Sequence, residues 1–213
     1  MSLRYQVVPV TAFAQNSSII WCDQSLQAAV VDPGGDIDLL LATVAQLGVK
    51  LTQIWLTHGH IDHVGGVPEL KQKMPEFKVS GPQKADVFWL SRLPEQSQRF
   101  GFPKECAFFE PEQWLEEGDQ LVLGQEILQV KHIPGHTPGH VVFYHEKSHL
   151  LIAGDVLFFN SIGRTDFPQG SHEDLLKNIK EKLLVLPKET TVITGHGPLT
   201  TIGREKERNP YLI

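Results

Sequence analysis

Cysteine is scarce in this chain: Cys22 and Cys106 are the 2 among 213 residues. Two thiols so far apart make no disulfide framework, and neither has a second cysteine nearby to form a thiolate metal site. They read as buried small hydrophobes in a reducing compartment, which sets a cytoplasmic expectation. Positive charge is also short. The 19 Lys and Arg stand against 25 Asp and Glu, a formal net charge of -6, so nothing overall favours nucleic acid or an anionic membrane. An anionic substrate would therefore need a local basic patch. No apolar run reaches the ~18 residues of a membrane span, and Met1 to Val10 lacks the basic start and long apolar core of a leader peptide. Linkers, low-complexity tracts and charge runs are missing too, so residues 1–213 are expected to form one domain. What remains is ordinary for a globular protein, 41% hydrophobic and 21% charged.

Histidine is what the chain has in unusual arrangement. Thr57-His58-Gly59-His60-Ile61-Asp62-His63 packs four metal-binding side chains into seven residues. It follows Leu51-Thr52-Gln53-Ile54-Trp55-Leu56, an apolar run that reads as a buried strand. Histidines two apart project to one side of an extended segment, so His58 and His60 can converge on one ion. Asp62 and His63 then point elsewhere and suit a neighbouring second ion. A helix-borne zinc motif would space its histidines four apart, so the reading here is a loop at a strand end. Gly65-Gly66 and Pro68 turn the chain away into a helix near Val67.

Strand signals precede that motif at Tyr5 to Val8, Ser18 to Cys22 and Ala28 to Val31, with Asp23-Gln24-Ser25 as a hairpin turn. Asp32-Pro33-Gly34-Gly35 ends the sheet segment. Asp36 or Asp38 is placed to cap a helix with the apolar face Leu39, Leu40, Val44 and Leu47, stopped by Gly48. Residues 67–101 alternate helical stretches with a short strand at Lys78 to Ser80. A hairpin spans Asp119 to His132 around Gly124-Gln125, and strands follow at His140 to Tyr144 and Leu150 to Ala153. Ser171-His172-Glu173-Asp174 opens a helix along Leu175, Leu176, Ile179, Leu183 and Leu184, and Thr190 to Thr194 is the last expected strand. Two comparable halves, each ending in a ligand-bearing turn, predict an α/β fold of two sheets packed face to face with helices outside, a four-layer αββα sandwich.

Further donors occur at strand ends in those halves. Pro134-Gly135-His136-Thr137-Pro138-Gly139-His140 sets a histidine in a shaped turn, Gly154-Asp155 a carboxylate, and Gly195-His196-Gly197 another histidine. Five histidines and two aspartates exceed the three or four donors that one zinc uses. They divide as His58, His60 and His136 on a first ion and Asp62, His63 and His196 on a second, with Asp155 bridging. Two divalent ions about 3.5–4 Å apart are a standard arrangement for hydrolysis, and Asp62 can also accept the proton of the attacking water. Nitrogen and oxygen donors suit zinc, with iron or manganese also compatible. His140 reads either as orienting His136 or as a buried hydrogen-bonded histidine, and His132, His145, His149 and His172 as solvated or capping residues.

These motifs together, in this order and spacing, resemble the metallo-β-lactamase superfamily across the whole chain. They are most similar to its glyoxalase II (hydroxyacylglutathione hydrolase) branch. Gly163-Arg164-Thr165-Asp166-Phe167-Pro168-Gln169-Gly170-Ser171 is similar to that branch's loop after the bridging aspartate, and Glu207-Arg208-Asn209-Pro210-Tyr211-Leu212 to the end of its short single-domain bacterial YcbL-like members. The resemblance implies the αββα sandwich, two metals on the seven residues above, and hydrolysis of S-D-lactoylglutathione to D-lactate and glutathione, the methylglyoxal-detoxifying reaction. Two-domain members hold glutathione with a C-terminal helical domain, whereas only 213 - 196 = 17 residues follow His196 here. Glutathione carries two carboxylates and one ammonium, so Arg164 and the tail's Arg204, Lys206 and Arg208 are the expected cations, with Phe100, Phe102, Phe158 and Phe159 as candidate walls. Arg164 has Asp166 as an alternative, structural partner.

The β-lactamases with a cysteine ligand would place it where Asp155 stands. A sulfur dioxygenase using one iron would share the Gly163-to-Phe167 loop, but His140 stands where those enzymes tend to have cysteine. A nuclease on the same centre lacks the basic, aromatic-interleaved stretch it would need. A purely structural metal site would be closed, not supplied with seven donors and room for water.

Overall fold

The computed structural model describes residues 3–102 and 104–213. Met1 and Ser2, which open the stretch read above for a leader peptide, lie outside the described residues. Along the first half run β1 (Leu3–Val10), β2 (Gln15–Cys22), β3 (Gln27–Val31), α1 (Ile37–Leu47), β4 (Lys50–Trp55), the single turn α2 (Ile61–Val64), α3 (Val67–Lys73), β5 (Lys78–Ser80), α4 (Val87–Leu90) and α5 (Leu93–Phe100). The second half holds β6 (Gln120–Leu123), β7 (Glu126–His132), β8 (Val141–His145), β9 (Leu150–Gly154), the small hairpin β10 (Leu157–Phe158) and β11 (Ser161–Ile162), α6 (His172–Asn178), β12 (Thr191–Thr194), β13 (Thr200–Thr201) and α7 (Ile202–Arg208).

The strands form two mixed sheets, ordered β1-β2-β3-β4-β5 and β13-β12-β9-β8-β7-β6. In the first, β1, β2 and β3 are antiparallel while β3, β4 and β5 run parallel. In the second, β9 and β12 are the parallel pair.

Strand periodicity explains the layering. Side chains alternate faces along a strand, so a strand apolar at every position must be covered on both sides. Ala28 and Val30 join Leu40, Val44 and Leu70 of the helices on one face of the first sheet. Their neighbours Ala29 and Val31 face the second sheet, where they meet Val141, Phe143, Leu150 and Ile152. The intervening Val142, Tyr144, Leu151 and Ala153 face Leu175, Ile179 and Ile202 on the far side. Three apolar layers between four structural ones give the expected αββα sandwich. Trp55 sits at the middle of the sheet-to-sheet layer, fully buried, with its ring centroid 5.8 Å from that of Phe143.

Several local expectations change. Leu39 is 49% exposed, and α1 buries Ile37, Leu40 and Val44 instead. Asp36 precedes α1 in a left-handed conformation, φ 48°, and its carboxylate accepts from Thr11 N at 2.6 Å rather than capping the helix. Tertiary demand for that turn displaced the local cap. Ser171 does cap α6, its Oγ accepting from Asp174 N at 3.2 Å. Beyond β12 the chain adds β13 and α7, so Thr190 to Thr194 is not the last strand and the basic tail is helical.

Candidate metal centre

The donors converge at one edge of the sandwich. His58 and His60 occupy the segment after β4, and His60 is the N-cap of α2. The expected loop thus becomes a helical turn at Ile61, which carries Asp62 towards His196 while the His63 ring stays 4.1 Å from that of His58. His136 lies in the turn between β7 and β8, Asp155 directly after β9, and His196 directly after β12. The two halves are stitched together here: Val141 N donates to Thr57 O at 2.8 Å, and Asn16 Nδ2 donates to Thr194 O at 3.0 Å and Gly197 O at 2.8 Å.

One cluster comprises His58, His60 and His136, and another Asp62, His63 and His196, with ligand atoms in each within 4.8 Å of one another. His60 Nδ1 is 3.2 Å from His58 Nε2 and 3.0 Å from His136 Nε2. Asp62 Oδ2 is 3.1 Å from His196 Nε2 and 3.8 Å from His63 Nε2. Asp155 reaches both groups: Oδ1 is 3.2 Å from His63 Nε2, while Oδ2 is 3.6 Å from His136 Nε2 and 3.7 Å from His196 Nε2. All seven sequence-derived donors are therefore brought together.

Hydrogen bonds behind the imidazoles decide which nitrogen faces inward. Thr57 Oγ1 donates to Asp32 Oδ2 at 2.6 Å, so His58 Nδ1–H donates to Thr57 Oγ1 at 3.0 Å. His136 Nδ1–H donates to Arg164 O at 2.7 Å, His63 Nδ1–H to Asp32 Oδ2 at 2.9 Å and His196 Nδ1–H to Phe13 O at 3.2 Å. Each Nε2 lone pair is left aimed at the centre. Lone pairs about 3 Å apart repel unless a cation or shared proton lies between them. His63 Nε2 and Asp155 Oδ1 are buried without a hydrogen-bond partner, facing each other. The donor set fits metal ions.

Electrostatics agree. Burial, reinforced by the neighbouring imidazoles, holds His58 well below the usual histidine range, and burial beside His136 pushes His60 down to about 3. Burial also lowers His136, against the pull of Asp155. All three are neutral donors at pH 7. Burial acts to lower His63, but Asp155 and Asp62 outweigh it and raise it well above the ordinary range. A proton and a metal ion thus compete for the same Nε2. Burial acts to raise Asp62, yet His63 and His196 hold it charged.

Two aspartates invisible as site residues in the sequence support the loops. Asp32, read there as a strand terminator, accepts from Thr57 N at 2.7 Å as well as from Thr57 Oγ1 and His63 Nδ1. Asp86, in a stretch with no motif, accepts from Gly59 N at 2.8 Å, Thr137 Oγ1 at 2.8 Å and Gly139 N. It ties the two histidine loops of the first cluster together. Burial raises Asp86 to about 7 despite those three donors. The folded state holds this proton more tightly than the unfolded chain, so its contribution is full below about 4 and is lost as pH rises through about 7. Asp86→Asn, a permanent neutral, should flatten the fall in unfolding free energy between about pH 4 and 7 relative to the parent. Equal slopes in denaturant titrations would show that Asp86 stays charged throughout.

His140 accepts from Asp155 N through Nε2 at 3.0 Å and stacks on His58 with centroids 4.6 Å apart. It positions Asp155, not His136, whose ring centroid is 6.0 Å away. His145, expected to be solvated, is buried between Glu126 and Ser148 at 2.9 and 2.6 Å. Close approach also requires glycine twice. A Cβ on Gly195 would overlap Asp155 Oδ1, and one on Gly154 would press on Thr57 Oγ1 at 2.6 Å and the His140 ring at 2.8 Å.

A cavity of about 360 Å³ opens over both clusters, lined by Phe13, Trp89, Phe100, Phe158 and Phe167 among others. That volume suits a small molecule. Arg164 lines it, paired with Asp166 at 2.8 Å. Arg204 is held by Asn160 at 2.9 Å and Glu205 at 2.6 Å over the Phe159 ring, and neither it nor Lys206 nor Arg208 is among the lining residues. Phe102 and Phe159 are likewise outside it.

An αββα sandwich with His and Asp clusters able to bind metals lining a small-molecule cavity defines a metallohydrolase. The chain belongs to the metallo-beta-lactamase superfamily, which it matches over residues 10–196. It is 44% identical over 211 residues to the hydroxyacylglutathione hydrolase GloC of Haemophilus influenzae, covering 99% of this chain and 98% of that one. The solved structure of BLEG-1, a B3 metallo-beta-lactamase, superposes with a TM-score of 0.88 at 35% identity, covering 98% and 99% of the two chains. TTHA1623, solved in a di-iron-bound form, gives 0.87 at 34% identity, covering 97% and 100%. No helix among the described residues is long and apolar enough to cross a membrane.

Proposed function

We propose that the protein is a dinuclear metal-dependent thioester hydrolase that cleaves S-D-lactoylglutathione to D-lactate and glutathione, in the cytoplasm. The observation that carries the dinuclear centre is Asp155, whose two oxygens approach His63 at 3.2 Å and His136 and His196 at 3.6 and 3.7 Å. The 44% identity to a hydroxyacylglutathione hydrolase supports the substrate. Donors drawn from both sheets support residues 1–213 acting as one hydrolase domain. His58, His60 and His136 would hold one ion and Asp62, His63 and His196 the other, with Asp155 shared. Nitrogen and oxygen donors fit zinc, and iron or manganese equally by chemistry.

When bound, the ions supply Lewis acidity and bring water's pKa from ~15.7 towards ~7. The chain's own residues do the rest. Asp62, which lines the cavity, accepts the proton of the attacking water and orients it. The aromatic walls exclude bulk solvent from the thioester carbonyl. A thiolate leaving group with a pKa near ~8.5 departs without a protein acid, which is why the cavity needs no second proton donor at the sulfur.

Metal analysis combined with a substrate panel tests this. Two ions per chain are expected, with thiol release from lactoylglutathione that drops at least ~100-fold on chelation and returns on reconstitution. A β-lactam belongs in the panel because of the 35% identity to BLEG-1, and the cysteine criterion used above rejects only the cysteine-ligand class. Preference for the β-lactam, or oxygen uptake on glutathione persulfide with one iron bound, would replace the thioesterase reading.

A further inference from the structure

One wall of the cavity is charged in a pattern that the catalytic centre does not use. Arg92, Glu95, Gln96 and Arg99 all line it. They sit at i, i+3, i+4 and i+7, one face of α5 and its N-cap residue. Arg92 donates to Phe88 O at 3.0 Å and lies 3.7 Å from that ring's centroid, while Arg99 lies 5.7 Å from the centroid of Phe100. Among the described residues neither guanidinium is in an ion pair, and neither is Glu95. Arg164, which also lines the cavity, is by contrast neutralised by Asp166. In a chain of net charge -6, two uncompensated arginines beside a reaction centre form the local basic patch that an anionic substrate needs.

The wall is also held in register with the centre. Gln96, 5% exposed, accepts from Ile61 N at 3.0 Å through Oε1 and donates to Trp89 O at 2.9 Å through Nε2. Ile61 immediately precedes Asp62, so α5 is pinned to the backbone that presents the proton acceptor. Charges on this face keep a set distance from the scissile carbonyl.

We propose that Arg92, Glu95 and Arg99 form the recognition wall for the thiol half of the substrate, the guanidiniums taking its two carboxylates and Glu95 its ammonium. This rests on the thioesterase reading above and gives α5 the glutathione-holding role expected of Arg204 and Arg208, which do not line the cavity. Guanidinium matches carboxylate bidentately, and two cations with one anion mirror the two carboxylates and one ammonium of the tripeptide.

The test uses the metal-loaded enzyme with three thioesters: S-D-lactoylglutathione, its N-acetylated form and the uncharged S-D-lactoyl-N-acetylcysteamine. Each of Arg92→Gln and Arg99→Gln is expected to lower the kcat/KM ratio of glutathione to cysteamine thioester about tenfold, through KM. Glu95→Gln should erase the parent's preference for the free amine over the N-acetylated form. Binding of S-methylglutathione, followed by calorimetry, should weaken about tenfold per arginine, with thermal unfolding reporting that these exposed substitutions leave the fold intact. An unchanged ratio and unchanged binding in the double arginine variant would overturn the wall while leaving the thioesterase reading standing. So would a parent enzyme that prefers the cysteamine thioester. A parent that cleaves no thioester removes the functional reading, and the wall with it.

Discussion

Replacing Asp155 with alanine is expected to abolish the centre: bound metal falls from two ions per chain to one or fewer, and thiol release falls about 10³-fold or more. The expectation follows from position. Asp155 offers its two carboxylate oxygens to residues of both clusters, 3.2 Å from His63 and 3.6–3.7 Å from His136 and His196. Removing it also takes from His63 the foremost of the carboxylates that raise its pKa. Elemental analysis beside kinetics checks it. Two ions retained with near-parental turnover would mean that the clusters hold their ions independently and that Asp155 only packs.

Trp55→Ala should cost about 3–5 kcal/mol of stability, because the ring leaves a cavity in the layer between the sheets. The ring is fully buried, lies edge-on to Phe143 at 67°, and has its Nε1–H donating to Gln53 Oε1 at 2.9 Å. For a chain of this size that loss lowers the melting temperature by about 6–20 °C. Because Trp55 ends β4, two residues before Thr57 and its bond to Asp32, metal affinity should fall as well. A thermal scan showing a change of under ~2 °C would move the weight of the sheet-to-sheet interface elsewhere.

Much of this centre was legible before folding. The donors fall in short motifs whose ligand role depends on local spacing, and strand ends beside glycine are visible in the chain itself. The four layers were legible for a similar reason, since strands apolar on both faces demand cover on both. The misreadings share a cause. Leu39 fits a helical stripe by sequence but faces solvent, and Asp36 fits a cap but answers to Thr11 instead. For Asp36 a partner distant in the chain overrode the local preference, and for Leu39 the core took Ile37, Leu40 and Val44 instead.

The chain's order of residues by itself pointed to which side chains could serve as donors, how they would divide into clusters, and to a sandwich of sheets and helices that carries them, because short-range spacing and strand periodicity encode all three. Only the tertiary structure decided that Asp32 and Asp86 brace the histidine loops, that His140 holds Asp155 and not His136, and that the charged wall over the centre comes from α5 while Arg204 and Arg208 lie elsewhere. Those roles come from contacts between residues far apart in sequence, which no local pattern records.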